Sequence, residues 1–146
     1  MLEGGVTPDA RAKLRAQLRR HEGWERVPYS DTLGNLTLGC GHKLVGGAIP
    51  LTDAAIEAIL EGDVDEIIHR CERRLLCWPA LDEVRQAACV EAAFNGALFA
   101  SPKAIAALNL ADYPLAATEL LDGPWSHQVG TRARRLARQI ETGEWA

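Results

Sequence analysis

The sequence predicts a mostly helical α+β fold, and three observations carry that prediction. Apolar residues recur at helical spacing along most of the chain, with Ala abundant and alternating polar/apolar runs scarce. One segment, Val27 to His42, breaks the pattern with Pro28, Gly34, Gly39 and Gly41, a combination that no stable helix accommodates. Start signals at Thr7-Pro8-Asp9, Thr52 and Thr131, and stop signals at Gly23, Asn95-Gly96 and Gly143, delimit the helical stretches.

In Thr7-Pro8-Asp9 the Thr caps, the Pro suits the first helical position, and the Asp complements the dipole. Ala10, Leu14 and Leu18 follow four apart as one apolar stripe. Glu22 is the next member of that series and Gly23 a C-cap, so this helix presents a carboxylate where its stripe runs out. Leu33-Gly34-Asn35 reads as a turn between two short strands, with Leu36, Thr37 and Leu38 on the second. Gly46-Gly47 and Pro50 form a loop after this small β-hairpin. Thr52 caps a long helix with Ile56, Ile59, Leu60, Val64, Ile67 and Ile68 on one face and acids on the other. That helix links the hairpin to the rest, and Trp78-Pro79 ends the region. Val84 to Phe94 is Ala-rich and predicts a buried helix. Shorter helices are expected from Pro102 to Leu108 and from Pro114 to Leu121. Gly123-Pro124 breaks the chain before a last helix with Leu136 and Ile140 inside.

A chain of 146 residues with 47% hydrophobic and 25% charged residues fits one domain, 1–146, able to bury a core without metals or disulfides. No run approaches the ~18 apolar residues of a membrane span. The stretch Met1 to Arg20 lacks an apolar signal-peptide core, so a cytosolic protein is expected. Four cysteines, Cys40, Cys71, Cys77 and Cys89, form no CxxC pair and read as buried free thiols. Cys40, His42, His69 and Cys71 match no common metal-ligand spacing. The net charge is -4 but uneven: Arg11, Lys13, Arg15, Arg19, Arg20 and Arg26 make the start basic, as Arg132, Arg134, Arg135 and Arg138 make the end, while Asp53, Glu57, Glu61, Asp63, Asp65 and Glu66 make the middle acidic. Most of these charges read as solvated faces. Should the basic ends meet, they would attract an anionic polymer.

Glu22, Asp31 and Thr37 stand in the spacing Glu-x8-Asp-x5-Thr, from a helix end through a tight hairpin. Glycoside hydrolysis needs two carboxyl groups in unlike settings, one protonated and one ionised. Glu22 suits the first task, because apolar neighbours and a helix C-terminus both disfavour its negative charge. Asp31 suits the second, in a polar, Gly-rich segment that stays wet. Thr37 offers a hydroxyl across the hairpin to hold a water beside Asp31. Taken singly, each has a plain structural explanation: a surface acid, an Asx-turn and a strand filler. The ordered set is what points to chemistry.

The segment Arg20-His-Glu-Gly-Trp with Pro28-Tyr-Ser-Asp-Thr-Leu-Gly-Asn-Leu-Thr-Leu-Gly-Cys-Gly-His42 resembles the catalytic segment of phage-type lysozymes, glycoside hydrolase family 24. The family's triad falls on Glu22, Asp31 and Thr37 without a gap, and Gly23, Tyr29, Gly34, Gly39, Gly41 and His42 also match. Leu51-Thr-Asp with Asp63-Val-Asp, Val84 to Asn95, and Trp125 to Trp145 resemble later family segments more weakly. The resemblance implies a hairpin lobe, about 24–50, joined by a long helix to a helical lobe, 1–23 and 51–146, with a cleft between. It implies an endolysin that cleaves the β-1,4 bond between N-acetylmuramic acid and N-acetylglucosamine of bacterial peptidoglycan with inversion. Arg132 would pair on Glu22's side of the cleft, Asn95 would contact substrate, and His42 would be a buried support of the hairpin. No cofactor or metal is called for, a monomer is expected, and neither nucleic acid nor stable membrane insertion is implied. The protein would wait in the host cytoplasm until a separate membrane-permeabilising factor releases it to the wall.

Three other functions fit the same residues less well. A non-catalytic wall-binding module would have lost a catalytic residue, and all three are present. A lytic transglycosylase uses the same acid but no water, which Asp31 with Thr37 argues against. A nucleic-acid binder built on the terminal arginines lacks a motif and aromatic platforms.

Overall fold

The computed structural model describes residues 7–47, 49 and 51–146; the expected roles of Met1 to Val6 and of Pro50 lie outside the described residues. Two compact units divide between Thr52 and Asp53. The first helix and the sheet belong to the first of these units, and the later helices to the second.

The first unit opens with α1, Pro8–Glu22, capped as its sequence predicts: Thr7 Oγ1 accepts a hydrogen bond from the Ala10 amide at 3.2 Å. Asp9 and Lys13, one turn apart, pair at 3.0 Å in full solvent, an arrangement that contributes little to stability. The stripe is exposed, with Leu14 and Leu18 at 45% and 42%. Gly23 takes φ 82, which releases the chain into β1, Glu25–Ser30. The Arg19 guanidinium lies 4.0 Å from the centre of the Trp24 ring, a cation–π contact that fastens the helix end to the strand that follows.

β1 pairs antiparallel with β2, Leu36–Gly39, in the register Tyr29 to Thr37 and Ser30 to Leu36. The ladder is irregular between Glu25 and Tyr29, where Pro28 has no amide proton to donate. A third strand, β3, His42–Lys43, pairs Thr37 with Lys43 and Leu38 with His42. The expected hairpin is therefore a three-stranded antiparallel sheet in the order β1-β2-β3. Two residues are too short a run to leave a periodic signal, which is why β3 was not legible.

The second unit begins with α2, Asp53–Arg74. Its predicted apolar face is graded: Ile56, Ile59 and Leu60 are exposed, Val64, Ile67 and Ile68 are half-buried, and Cys71 is buried. A 3-10 turn at Trp78–Ala80 leads to α3, Glu83–Phe94, capped by Asp82 Oδ1 on the Arg85 amide at 2.9 Å. Its buried face of Val84, Ala88, Cys89, Ala92 and Ala93 is mostly small, so neighbouring helices approach closely. Next come α4, Pro102–Asn109, α5, Tyr113–Leu121, α6, Pro124–Val129, and α7, Thr131–Thr142. Gly123-Pro124 does not simply break the chain as expected; Pro124 occupies the first position of α6. Leu75, Leu98, Leu108, Leu136 and Ile140 are the large side chains at the centre of the core. Among the described residues no helix is long and apolar enough to cross a membrane.

Four contacts on Arg85 lock the end of α7 to α3 and α5. Its Nε donates to the Ile140 carbonyl at 2.7 Å and its Nη2 to the Glu141 carbonyl at 3.0 Å. Its Nη1 pairs with Asp82 at 2.6 Å, and its guanidinium stacks 3.7 Å over the Tyr113 ring. Burial opposes ionisation of Asp82, but the Arg85 amide, side chain and charge outweigh it and hold its pKa below the ordinary value. Gly143 closes α7 at φ 72, and a Cβ there would stand 2.7 Å from Arg85 Nη1. Gly143→Ala should therefore cost about 2 kcal/mol, roughly half from the left-handed backbone and half from displacing a guanidinium held at four points. Urea unfolding should give a lower midpoint at unchanged slope; a midpoint equal to that of the parent would show that Arg85 moves aside freely.

All four cysteines are free thiols. Cys71 and Cys89 are buried, as expected, whereas Cys40 and Cys77 are half-buried. Desolvation pushes the Cys71 thiol up to about 11 and raises Cys77 and Cys89 as well, so these three are held as inert protonated groups.

Candidate active site

Glu22 ends α1 and is exposed, not set among apolar residues as its place in the stripe suggested. Its side chain lies on Gly41, in the turn that joins β2 to β3. A Cβ added to Gly41 would stand 3.1 Å from Glu22 Oε2 and 3.3 Å from Glu22 Cβ, and Gly41 has φ 72. Glycine supplies the left-handed backbone without strain, and any side chain there would also press the Glu22 carboxylate aside. The sequence match at Gly41 thus has a local physical cause.

Asp31 sits at the exit of β1 and organises the turn to β2. Its backbone N–H donates to the Asn35 carbonyl at 2.9 Å, and its own carbonyl accepts from the Gly34 amide at 3.0 Å. Its carboxylate accepts three more bonds: Oδ1 from the Leu33 amide at 2.9 Å and the Asn35 amide at 2.7 Å, and Oδ2 from Asn35 Nδ2 at 3.0 Å. The Asn35 side chain is the largest influence, followed by the Asn35 amide; with the Leu33 amide and the Lys43 charge they outweigh desolvation and lower the Asp31 pKa below its ordinary 3.8. The structural Asx-turn and an ionised carboxylate are thus one and the same arrangement.

Thr37 is 2% exposed and lies on β2 opposite Tyr29 and Lys43. Its Oγ1 donates to the Asn35 carbonyl at 3.0 Å. With its proton so placed, the hydroxyl oxygen retains only the capacity to accept. Asn35 is thereby the hub between Asp31 and Thr37. Sequence reasoning placed Asn35 in the turn without giving it a role; an Asp followed four residues later by Asn across a Gly was the available signal. Lys43, on the unforeseen strand β3, is a second residue the sequence did not single out.

His42 is exposed on β3 opposite Leu38. This corrects the expectation of a buried support: β3 is the edge strand, and its second face is open. In the second unit Arg132 stands on α7 and bonds Glu91 of α3, Nε to Oε1 at 3.0 Å; that partner was not foreseen. Asn95 is the C-cap of α3, exposed, with its Nδ2 donating to the Glu91 carbonyl at 3.0 Å. Glu91 and Arg132, with Glu83 and Gln86, are the polar residues lining a mostly apolar groove of about 560 Å³ that Leu60 and Phe94 also border. Among the described residues no group of three or more His, Cys, Asp or Glu is arranged to hold a metal ion.

The family described as phage lysozyme matches the chain over residues 19–141. That span begins three residues before Glu22 and takes in every site residue above. No curated protein matches the chain.

Proposed function

The chain belongs to the phage lysozyme family, whose members are glycoside hydrolases that cut peptidoglycan, and from that premise we propose how this enzyme does so. Its substrate is the β-1,4 bond between N-acetylmuramic acid and N-acetylglucosamine. Glu22 is the general acid that protonates the departing glycosidic oxygen. Asp31 is the general base that takes a proton from the attacking water on the opposite face of the sugar, so the anomeric configuration inverts.

The observation that carries this reading is the Asp31 carboxylate. Three donors pin it and lower its pKa, so it is ionised at neutral pH and geometrically fixed before substrate arrives. Thr37 supports the same step. Its hydroxyl donates its hydrogen bond to the Asn35 carbonyl, so towards a water it acts as acceptor, and it complements Asp31 by accepting a hydrogen bond from the water hydrogen that is not transferred. Exposure suits Glu22, which must reach a glycan from solvent, and its seat on Gly41 restricts where its carboxyl can swing. Arg132 and Asn95 act as substrate contacts, Arg132 through the guanidinium nitrogens that Glu91 leaves open. His42, exposed at the sheet edge, is assigned no chemical step.

The reading extends to a monomeric endolysin that gathers in the host cytoplasm and reaches the wall through a separate membrane-permeabilising factor. Digestion of purified peptidoglycan followed by mass spectrometry tests the chemistry. Products with a reducing N-acetylmuramic end are expected, because water is the nucleophile. Products with an anhydro end would mean a transglycosylase in which Asp31 activates no water.

A further inference from the structure

Glu91 bonds two side chains of the second unit at once, through different atoms. Its Oε1 accepts from Arg132 Nε at 3.0 Å, and its backbone carbonyl accepts from Asn95 Nδ2 at 3.0 Å. It is the one acid in the apolar stretch from Ala87 to Phe94, and it lines the groove together with Arg132. We propose that Glu91 is a positioning residue for substrate binding: its carboxylate holds the Arg132 guanidinium towards the wall glycan, beside the Asn95 amide that the main-chain carbonyl of the same residue orders. The inference rests on the substrate-contact roles proposed above for Arg132 and Asn95.

The atoms left over give the arrangement its use. Arg132 is engaged only through Nε, so among the described residues both terminal nitrogens remain open to an oxygen acceptor on the substrate. Asn95 spends Nδ2 on the Glu91 carbonyl, which leaves Oδ1 to accept a substrate N–H or O–H. A free arginine side chain would have to be ordered when the glycan binds, and Glu91 performs that ordering in advance. A role in folding explains the pair poorly. The Arg132 and Glu91 side chains are 42% and 38% exposed, and ion pairs so placed contribute little to stability.

Steady-state kinetics on solubilised peptidoglycan separate positioning from folding. Glu91→Ala should raise KM about fivefold, the loss of one hydrogen bond that orders the guanidinium, while kcat stays within about twofold. Glu91→Gln keeps an oxygen at the Oε1 position and should return KM to near the parent value. The double variant Glu91→Ala with Arg132→Ala should be no worse than Arg132→Ala alone, because Glu91 acts through that arginine. Should Glu91→Ala fail to fold, Glu91→Asp, one methylene short of Nε, replaces it with the same expectations. An unchanged KM, a Gln variant as impaired as Ala, or additive losses in the double variant would each overturn the inference. Cleavage retained in Glu22→Gln would strike the acid assignment alone, whereas an inactive Glu22→Gln beside an unaffected Glu91→Ala would strike this inference alone.

Discussion

Glu22→Gln should lower the rate of peptidoglycan cleavage about a thousandfold, the scale of a lost general acid, and leave the melting temperature where it was. The two side chains share one shape, so the amide fits the same seat against Gly41. The site is exposed, so removing the carboxyl neither opens a cavity nor strands a buried charge, the two mechanisms that make a substitution severe for folding. What the amide lacks is a proton acidic enough to give to a glycosidic oxygen. Clearing of a peptidoglycan suspension reads the rate, and a thermal melt in the same buffer reads the fold. A variant that clears at the parent rate would place the acid elsewhere.

Asp31→Asn should cost about a hundredfold or more in kcat with a smaller change in KM, because a general base acts in the transition state and not in binding. The turn should survive. An amide oxygen at the Oδ1 position still accepts from the Leu33 and Asn35 amides, and a flip of the Asn35 side chain restores the third bond that Oδ2 now makes. A pH signature accompanies this. The Asp31 pKa is lowered on folding, so its contribution to stability is complete above the ordinary 3.8 and disappears as pH falls through the lowered value. The parent should therefore lose this part of its stability only in that acid window, and Asp31→Asn should lack it. The loss of activity that comes from protonating Asp31 should likewise have its midpoint below the ordinary value. Full kcat in Asp31→Asn would remove Asp31 from the reaction.

Local signals in the sequence were sufficient for most of the helices. Thr7, Pro8 and Gly23 bound α1 where their capping chemistry places it, and Gly143 ends α7 with the left-handed backbone a C-cap glycine predicts. Other features depend on partners distant in the chain. The Arg85 clamp needs carbonyls at Ile140 and Glu141, more than fifty residues away, and no periodicity encodes that. β3 is two residues long, below the length at which alternation can be read. The helix α6 was concealed by Gly123-Pro124, a pair that serves equally to stop one helix and to start another.

At the site the same division holds. The spacing of Glu22, Asp31 and Thr37 gained its meaning from the resemblance to the family's triad, and the turn chemistry of Asp31 followed from its residue type. The roles of Asn35 and Gly41 did not, because each depends on what lies across a strand or a turn. Burial was misjudged at both ends of the constellation. Glu22 continues an apolar stripe yet is exposed, and His42 stands beside glycines that matched a family pattern yet lies on the open edge strand. The pairing of Arg132 with Glu91 joins two residues 41 apart in the chain and was invisible in the sequence for the same reason.

The most direct test is a crystal structure of the Glu22→Gln variant soaked with an uncleaved glycan fragment of the wall. The account predicts the scissile oxygen within hydrogen-bond reach of the residue 22 amide, and the Asp31 carboxylate facing the anomeric carbon from the other side, with the two side chains about 6.5–9.5 Å apart to admit a water. A glycan bound with its scissile linkage away from residue 22, or with Asp31 in direct contact with the anomeric carbon, would contradict it.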